Sequence, residues 1–156
     1  MRFTLLDRIL EIEPGKRITA IKTLSLAEEY LADHFPTAPV MPGVLMLEGL
    51  VQASAWLIRA SEDFAHSIVT LKQARGVKFA NFVNPGGMLT ISSEITDEDG
   101  RETRLKAQGI VDGAVAVSAK LVLERFNLSE RGSGDAAVDT FMVARQKELL
   151  TLLHRP

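Results

Sequence analysis

The 156-residue chain has no cysteine, a single tryptophan, a single tyrosine and only three histidines. Without a thiol there is no disulfide, no thiolate ligand and no cysteine nucleophile, and such a composition suits a reducing compartment. The histidines, His34, His66 and His154, fall at no spacing that would ligate a metal, so neither a metal nor another cofactor is expected. An excess of charge of one sign is also missing. The formal net charge is −2, which gives no electrostatic footprint for nucleic acid. Nor is there a long hydrophobic run. The start MRFTLLDRILEIEPG breaks into charges too early for a signal peptide. The longest apolar stretch, Val44 to Ile58, carries Glu48 and Gln52 and is too short to cross a bilayer. What is present is an ordinary globular composition, 46% apolar and 24% charged, on a length that fits one domain with a sizeable core. The expectation is a cytoplasmic domain that meets neither membrane nor nucleic acid.

Leu5 to Ile12 and Arg17 to Leu26 flank Pro14-Gly15-Lys16, and the second stretch, RITAIKTLSL, alternates polar and apolar residues like a strand with one wet face. A hairpin is predicted there, followed by a short helical piece at Ala27 to Leu31. Pro42 then opens a longer helix, because a proline in the first turn lacks only an N–H that would go unpaired anyway. In GVLMLEGLVQASAWLIRASED, from Gly43 onward, apolar residues fall on every side of the helical wheel. That helix should be enclosed by protein until Arg59, Glu62 and Asp63 return it to water. Gly49 and Ala53, four apart, offer a flat strip for close approach to a sheet.

The next part reads as β structure. Ser67 to Phe82 carries the clusters SIVTL and GVKFANF, and Asn84-Pro85-Gly86-Gly87 is a turn. Met88 to Thr96 and Glu102 to Val111 flank Asp97-Glu98-Asp99-Gly100, a hairpin signal, and Asp112-Gly113 turns into Ala114 to Phe126. The predicted class is α+β, a curved antiparallel sheet wrapped around one long central helix. Residues 129–135 have the composition of a flexible linker. Ala136 to Leu153 reads as a C-terminal helix with an apolar stripe of Val138, Phe141, Met142, Leu149, Leu152 and Leu153, packing on the domain or on a neighbouring subunit. The division is therefore a domain at 1–128 and an extension at 129–156.

The residues able to do chemistry gather in DHFPTAPVMPGVLMLEGLVQ, residues 33 to 52. Pro36, Pro39 and Pro42 restrict their own backbone and that of the residues before them, which stiffens the loop holding His34. A loop histidine is commonly a turn cap, yet a fixed imidazole that titrates near neutrality also suits proton transfer. Glu48 stands among Met46, Leu47, Leu50 and Val51, where an acid must pair, neutralise or face a cavity. In neutral form it would be a proton donor. Gln52, one turn on, lies on the same face and can orient it or make an ordinary polar contact. The N–H groups of Gly43 and Val44 leave the positive end of the helix toward the loop, where they can polarise a carbonyl oxygen. Glycine lets a substrate come close. A base, an acid and a carbonyl-polarising helix end fit removal of a proton α to a thioester carbonyl with protonation of a departing β-hydroxyl. That reaction is dehydration of a 3-hydroxyacyl chain.

HFPTAPVMPGVLMLEGLVQA resembles the active-site segment of the FabZ-type 3-hydroxyacyl-[acyl-carrier-protein] dehydratases, whose pattern is roughly G-H-F-P-x-x-P-x-x-P-G-V-L-x-x-E-x-x-x-Q. His34, Phe35, Pro36, Pro39, Pro42, Gly43, Val44, Leu45, Glu48 and Gln52 fall at that spacing. LLDRILEIEPGK and VKFANFVNPGG are similar to two further stretches of the family, so the resemblance covers about residues 5 to 125. It implies the hot-dog fold. It also implies a homodimer whose two sites each take the histidine from one subunit and the acid from the other, often assembled further as a trimer of dimers. His34 is then the base, Glu48 the acid and the Gly43 amide the carbonyl donor, with Phe35, Pro42, Val44 and Gln52 binding substrate. The implied partner is an acyl carrier protein bearing the 3-hydroxyacyl chain. Glutamate at position 48, rather than aspartate, favours the plain dehydratase over the FabA type, which also isomerises its product.

The chain departs from the pattern in places. Asp33 replaces the glycine before the histidine, Thr37-Ala38 precede Pro39, Gly87 stands for the last aspartate of the V-x-P-G-D turn, and Thr70-Leu71 replace an aromatic pair. Because acyl carrier proteins are acidic, a basic rim is expected, with Lys72, Arg75, Lys78 and Arg104 as candidates. Two other readings use the same substrates: a hot-dog acyl thioesterase, which needs a nucleophile or activated water, and a non-catalytic protein that binds acyl-carrier thioesters.

Overall fold

The computed structural model describes residues 3–132 and 135–155; Ser133 and Gly134, part of the expected linker, lie outside the described residues. Its strands are β1 (Arg8–Glu13), β2 (Arg17–Thr23), β3 (Ile68–Phe79), β4 (Met88–Asp99), β5 (Glu102–Val111) and β6 (Ala114–Phe126). They form one six-stranded sheet in the order β1-β2-β4-β5-β6-β3, every neighbour antiparallel. Alternation sets which face is buried. Leu89, Ile91 and Ser93 of β4 point inward, as do Thr103, Leu105 and Ala107 of β5 and Ala119, Leu121 and Leu123 of β6. The register slips at Ile95/Asp97, Leu71/Gln73, Arg75/Lys78 and Gly109/Ile110. Such bulges bend and twist strands locally, and here they let the sheet curl around the helix α1 (Gly43–Ser61).

Helix α1 packs on all six strands. Leu50, Leu57 and Ile58 are fully buried, each stabilising the fold by about 1.5–3 kcal/mol. Gly49 is the point of closest approach, where a Cβ would stand 3.0 Å from Ile91 Cδ1; the flat strip with the wholly buried Ala53 is therefore used as expected. A buried hydroxyl pair, which the hydrophobic pattern does not disclose, ties helix to sheet. Ser54 Oγ donates to the Leu50 carbonyl at 2.7 Å and shares a 2.7 Å bond with Ser93 Oγ.

Several boundaries differ from expectation. Pro42 (ψ 135°) stands just outside α1 and accepts from Leu45 and Met46 N through its carbonyl, so Gly43 is the first helical residue. The acidic run Asp97–Asp99 is strand rather than turn, paired as far as Asp99↔Glu102. Arg104 and Arg125 supply ion pairs for Asp97 and Glu98. The supposed linker is partly built: Leu128–Arg131 forms a 3-10 turn closed by an Asn127–Glu130 capping box.

The C-terminal helix α2 (Ala136–Leu153) matches its expected limits and lies on its own chain, but only part of the expected stripe, Leu149 and Leu153 among it, turns inward. Val138, Phe141 and Leu152 are exposed, while Asp139, Leu153 and the partly buried Val143, Leu149 and Leu150 face inward. Asp139 sets this rotation. Its carboxylate accepts from Leu128 N at 2.8 Å and Ser129 N at 3.0 Å, and from Ser67 Oγ.

Candidate active site

His34 follows the 3-10 turn Glu29–Ala32. Its neighbour Phe35 adopts φ +51°, a conformation uncommon outside glycine. The two rings meet edge to face at 4.6 Å. Ala38 N donates to the Phe35 carbonyl at 2.8 Å, and Met41 N to the Val83 carbonyl at 2.9 Å, so the proline-rich loop is pinned at both ends. Asp33 is exposed, and no hydrogen bond or ion pair joins it to His34.

His34 shares a cleft of ≈ 240 Å³ with Val40, Met41, Gly43, Met46 and Phe79–Phe82. Gly43 and Val44 donate to no other described residue, as expected for the first N–H groups of a helix. A Cβ on Gly43 would meet the Phe79 ring at 3.1 Å, so only glycine leaves this approach open. The side chains of Val44 and Phe35 turn outward, and with Phe79 and Phe82 they leave apolar surface exposed around the mouth of the cleft. Pro42 is half-buried at the helix start.

Glu48 lies elsewhere. It comes five positions after Gly43, which at 3.6 residues per turn is about 140° around the helix. It lines a second cleft of ≈ 370 Å³ with Gln52, Val51, Trp56 and Arg59 of α1, Val69–Leu71 of β3 and Gln146 and Leu149 of α2. Gln52 donates to Glu48 Oε1 at 2.9 Å, the orienting bond that their spacing suggests. Within one chain, then, His34 and the Gly43 amide come together, and Glu48 and Gln52 come together, in separate clefts.

Two residues of the second cleft were not anticipated. Arg59, expected in water, is largely buried. Its guanidinium lies 5.3 Å from the Trp56 ring centroid, and its Nε is buried without a partner. Burial pushes it down to about 10, against the pull of Glu62. Glu62 is itself drawn in, to Arg125 at 3.0 Å and His66 at 3.0 Å, so of the three only Asp63 stands in water as expected, 3.9 Å from Lys147 Nζ. Gln146 Nε2 donates to the Ser67 carbonyl at 2.7 Å, leaving its Oε1 buried and unpaired. No one-dimensional signal marks Gln146, since its position depends on how α2 docks.

The expected basic rim is divided. Lys72 pairs with Glu102 and Arg104 with Asp97 at 2.5 Å, whereas Arg75 and Lys78 have no ion-pair partner among the described residues. Arg75 stands opposite Lys120, and Lys120 opposite Lys106. Like charges directly opposed across strands are unfavourable.

The sequence model of the FabA-like domain matches residues 1–120. The chain is 37% identical over 119 residues to a protein of Ruminiclostridium cellulolyticum named 3-hydroxyacyl-[acyl-carrier-protein] dehydratase FabZ, covering 76% of this chain and 84% of that one. A protein of the same name from Dechloromonas aromatica is 42% identical over 129 residues, covering 81% and 90%. Among solved structures, the dehydratase heterocomplex ApeI:P from Xenorhabdus doucetiae superimposes with a TM-score of 0.65 at 20% identity, over 82% of this chain and 86% of that one. That likeness shows the shared fold.

Proposed function

The chain belongs to the FabA-like family, among its FabZ-type dehydratases, and from that premise we propose that it converts 3-hydroxyacyl chains on acyl carrier protein into trans-2-enoyl chains, in fatty-acid or related acyl-chain biosynthesis. The observation that carries the reading is that the His34 imidazole and the free amide of Gly43 line one cleft. The amide takes the thioester carbonyl oxygen and stabilises the negative charge that grows there. His34 removes the proton from C2. Glu48 gives its proton to the C3 hydroxyl, the C3–O bond breaks, and water leaves. Both proton transfers are made by side chains, so the scheme needs no cofactor.

Base and acid lie in different clefts of one chain, so the scheme needs a homodimer in which His34 of one subunit faces Glu48 of the other. Two features support that assembly. The long strand β3 is an edge of the sheet, and Phe79 and Phe82 of the His34 cleft, with Phe35 and Val44 next in sequence to His34 and Gly43, are exposed, large apolar side chains of the kind that mark contacts. A trimer of dimers is a further step of the same reading. The unpaired row Arg75, Lys120 and Lys106 suits an acidic carrier protein, whose charge would relieve their mutual repulsion. Residues 1–128 would form the catalytic unit and 129–156 its accessory segment. No helix among the described residues is long and apolar enough to cross a membrane, and we place the enzyme in the cytoplasm with the carrier.

The test is ultraviolet-monitored interconversion of 3-hydroxybutyryl and crotonyl thioesters on acyl carrier protein. Wild type should turn over, and His34→Ala should not. Mixing unfolded His34→Ala and Glu48→Gln subunits and refolding them together should restore part of the activity, because each mixed dimer holds one intact site. Turnover by folded His34→Ala would remove the base assignment, failure of the mixture would remove the shared site, and release of free thiol would indicate hydrolysis instead.

A further inference from the structure

The Glu48 cleft opens into a second, larger groove. Phe3 and Thr4 on one wall, and Gln146 and Leu149 of α2 on the other, line both spaces. Because both walls are shared, the groove of ≈ 620 Å³ continues the cleft rather than lying behind it. It follows α2 past Phe141 and Leu152, which stand on one face of the helix and ~16 Å apart along its axis. The lining is accessible. Phe3, Phe141 and Leu152 are each more than half exposed, at 54%, 65% and 53%, so a ligand in the groove meets their surfaces directly. One exposed apolar side chain is ordinary, but several along a single groove mark a binding surface. The charged residues of the lining, Arg145 and Glu148, pair with each other at 2.5 Å. That self-neutralised pair offers nothing to a charged head group, and the groove suits an uncharged alkyl chain.

The direction of the substrate follows from the chemistry. Glu48 serves the C3 hydroxyl, so the carbons from C4 onward leave the reacting centre through the space that Glu48 lines. A short chain ends inside the Glu48 cleft. A longer one continues between the N-terminal segment and α2, where Phe141 and Leu152 remove its methylenes from water. We propose that the groove between Phe3 and α2 is the distal part of the acyl site, and that it selects long unbranched 3-hydroxyacyl chains over short ones. Helix α2 lies beyond the residues matched by the family, 1–120, so this extension is a property of the present chain. The assignment rests on the acyl-dehydratase reading of the Glu48 cleft, and it names the substrate class within that reading.

The test measures kcat/KM on the full-length protein for 3-hydroxyacyl thioesters of four to sixteen carbons, each divided by the value for 3-hydroxybutyryl. In wild type the ratio should climb once the chain outgrows the Glu48 cleft, by up to about fourfold for each methylene buried. Phe141→Ser and Leu152→Ser alter side chains that are mostly exposed. Each should lower the long-to-short ratio by about fourfold or more, as for one methylene returned to water, and Phe141→Leu should restore part of it. Because every variant is read as a ratio between two substrates, a general loss of folding or activity does not imitate the effect. A ratio unchanged by both serine variants overturns the proposal, and weakened self-association in sedimentation would then give the groove to a second subunit. The same lengths as unreactive acyl-pantetheine thioesters give a binding series that needs no chemistry. If no length turns over but binding grows with length and responds to Phe141→Ser, the dehydratase reading fails and the groove stands. If 3-hydroxybutyryl turns over and the wild-type series is flat with length, the groove alone falls; failure to bind any thioester overturns both readings.

Discussion

Gln52 Nε2 and Glu48 Oε1 lie 2.9 Å apart, one turn along α1. The amide is held by more than the acid. Its Oε1 accepts from Leu5 N at 2.9 Å, and its Nε2 also donates to the Phe3 carbonyl at 3.1 Å. The N-terminal segment thereby fixes which way the amide points, and the amide fixes one oxygen of the carboxyl. Glu48 Oε2 has no partner among the described residues and is the oxygen free to act in the proposed acid role.

Glu48→Gln should therefore keep the fold and lose turnover. The side chain has nearly the same shape, but an amide cannot deliver the proton, and loss of a general acid costs about a hundredfold or more. Thermal unfolding close to wild type, measured beside kcat, separates chemistry from folding. Turnover within a few-fold of wild type would remove Glu48 from the reaction.

Gln52→Leu should act on both stability and rate. It leaves the Leu5 N–H and the Phe3 carbonyl without their partner, and an unsatisfied buried group costs about 1–3 kcal/mol; the partial exposure of this region favours the lower end. Urea unfolding reads that loss. Because the variant also frees the Glu48 carboxyl, kcat should fall by more than a comparable loss of stability elsewhere produces. A variant as stable and as active as wild type would show that the three bonds contribute nothing.

Asp139 gives the fold an acid-sensitive point. Bonds from the Ser67 hydroxyl, then from Ser129 and the Leu128 N–H, hold its carboxyl well below the ordinary value of 3.8. A group whose proton affinity is lowered on folding contributes stability that is present above its unfolded value and is lost as pH falls toward the folded one. Asp139→Asn should thus be less stable than wild type at pH 7, and the gap should narrow as pH falls below about 4. Melting temperatures from pH 7 to pH 3 provide the check, and a gap constant with pH would contradict the mechanism.

The sequence made the fold legible where local chemistry decides it. Asp112-Gly113 fixes a tight turn without outside help, and the limits of β5 and β6 followed from it. The helix start at Gly43 was legible within one residue for the same reason, since Pro42 constrains its own backbone. Elements that depend on distant partners were misread. Asp97–Asp99 has the composition of a turn, and it is strand because Arg104 and Arg125 arrive from β5 and β6. Arg59 has the chemistry of a surface residue, and it is enclosed by the docking of α2, whose rotation Asp139 determines. At the candidate site, the Glu48–Gln52 bond was readable from helical spacing. The place of Gln146 in the same cleft as Arg59 was not, because nothing in the order of residues brings position 146 to position 59.

Gly43 and Phe79 offer a last test, of the helix end itself. A methyl group on Gly43 would lie 3.1 Å from two atoms of the Phe79 ring, closer than unstrained contact. Alanine normally favours a helix over glycine by up to about 1 kcal/mol, whereas overpacking costs about 1–3 kcal/mol, so Gly43→Ala should be destabilising on balance. The sign should reverse when the ring is removed. In a Phe79→Ala background the same substitution has space, and it should be neutral or stabilising by urea unfolding, giving a double-mutant coupling near the overpacking cost. Turnover should behave differently, because the new methyl group also crowds the amide proposed to receive the thioester carbonyl. Activity lost in Gly43→Ala should stay low in the double variant although stability returns. Recovery of both together would mean that the Phe79 ring, rather than access to the Gly43 amide, had limited the reaction.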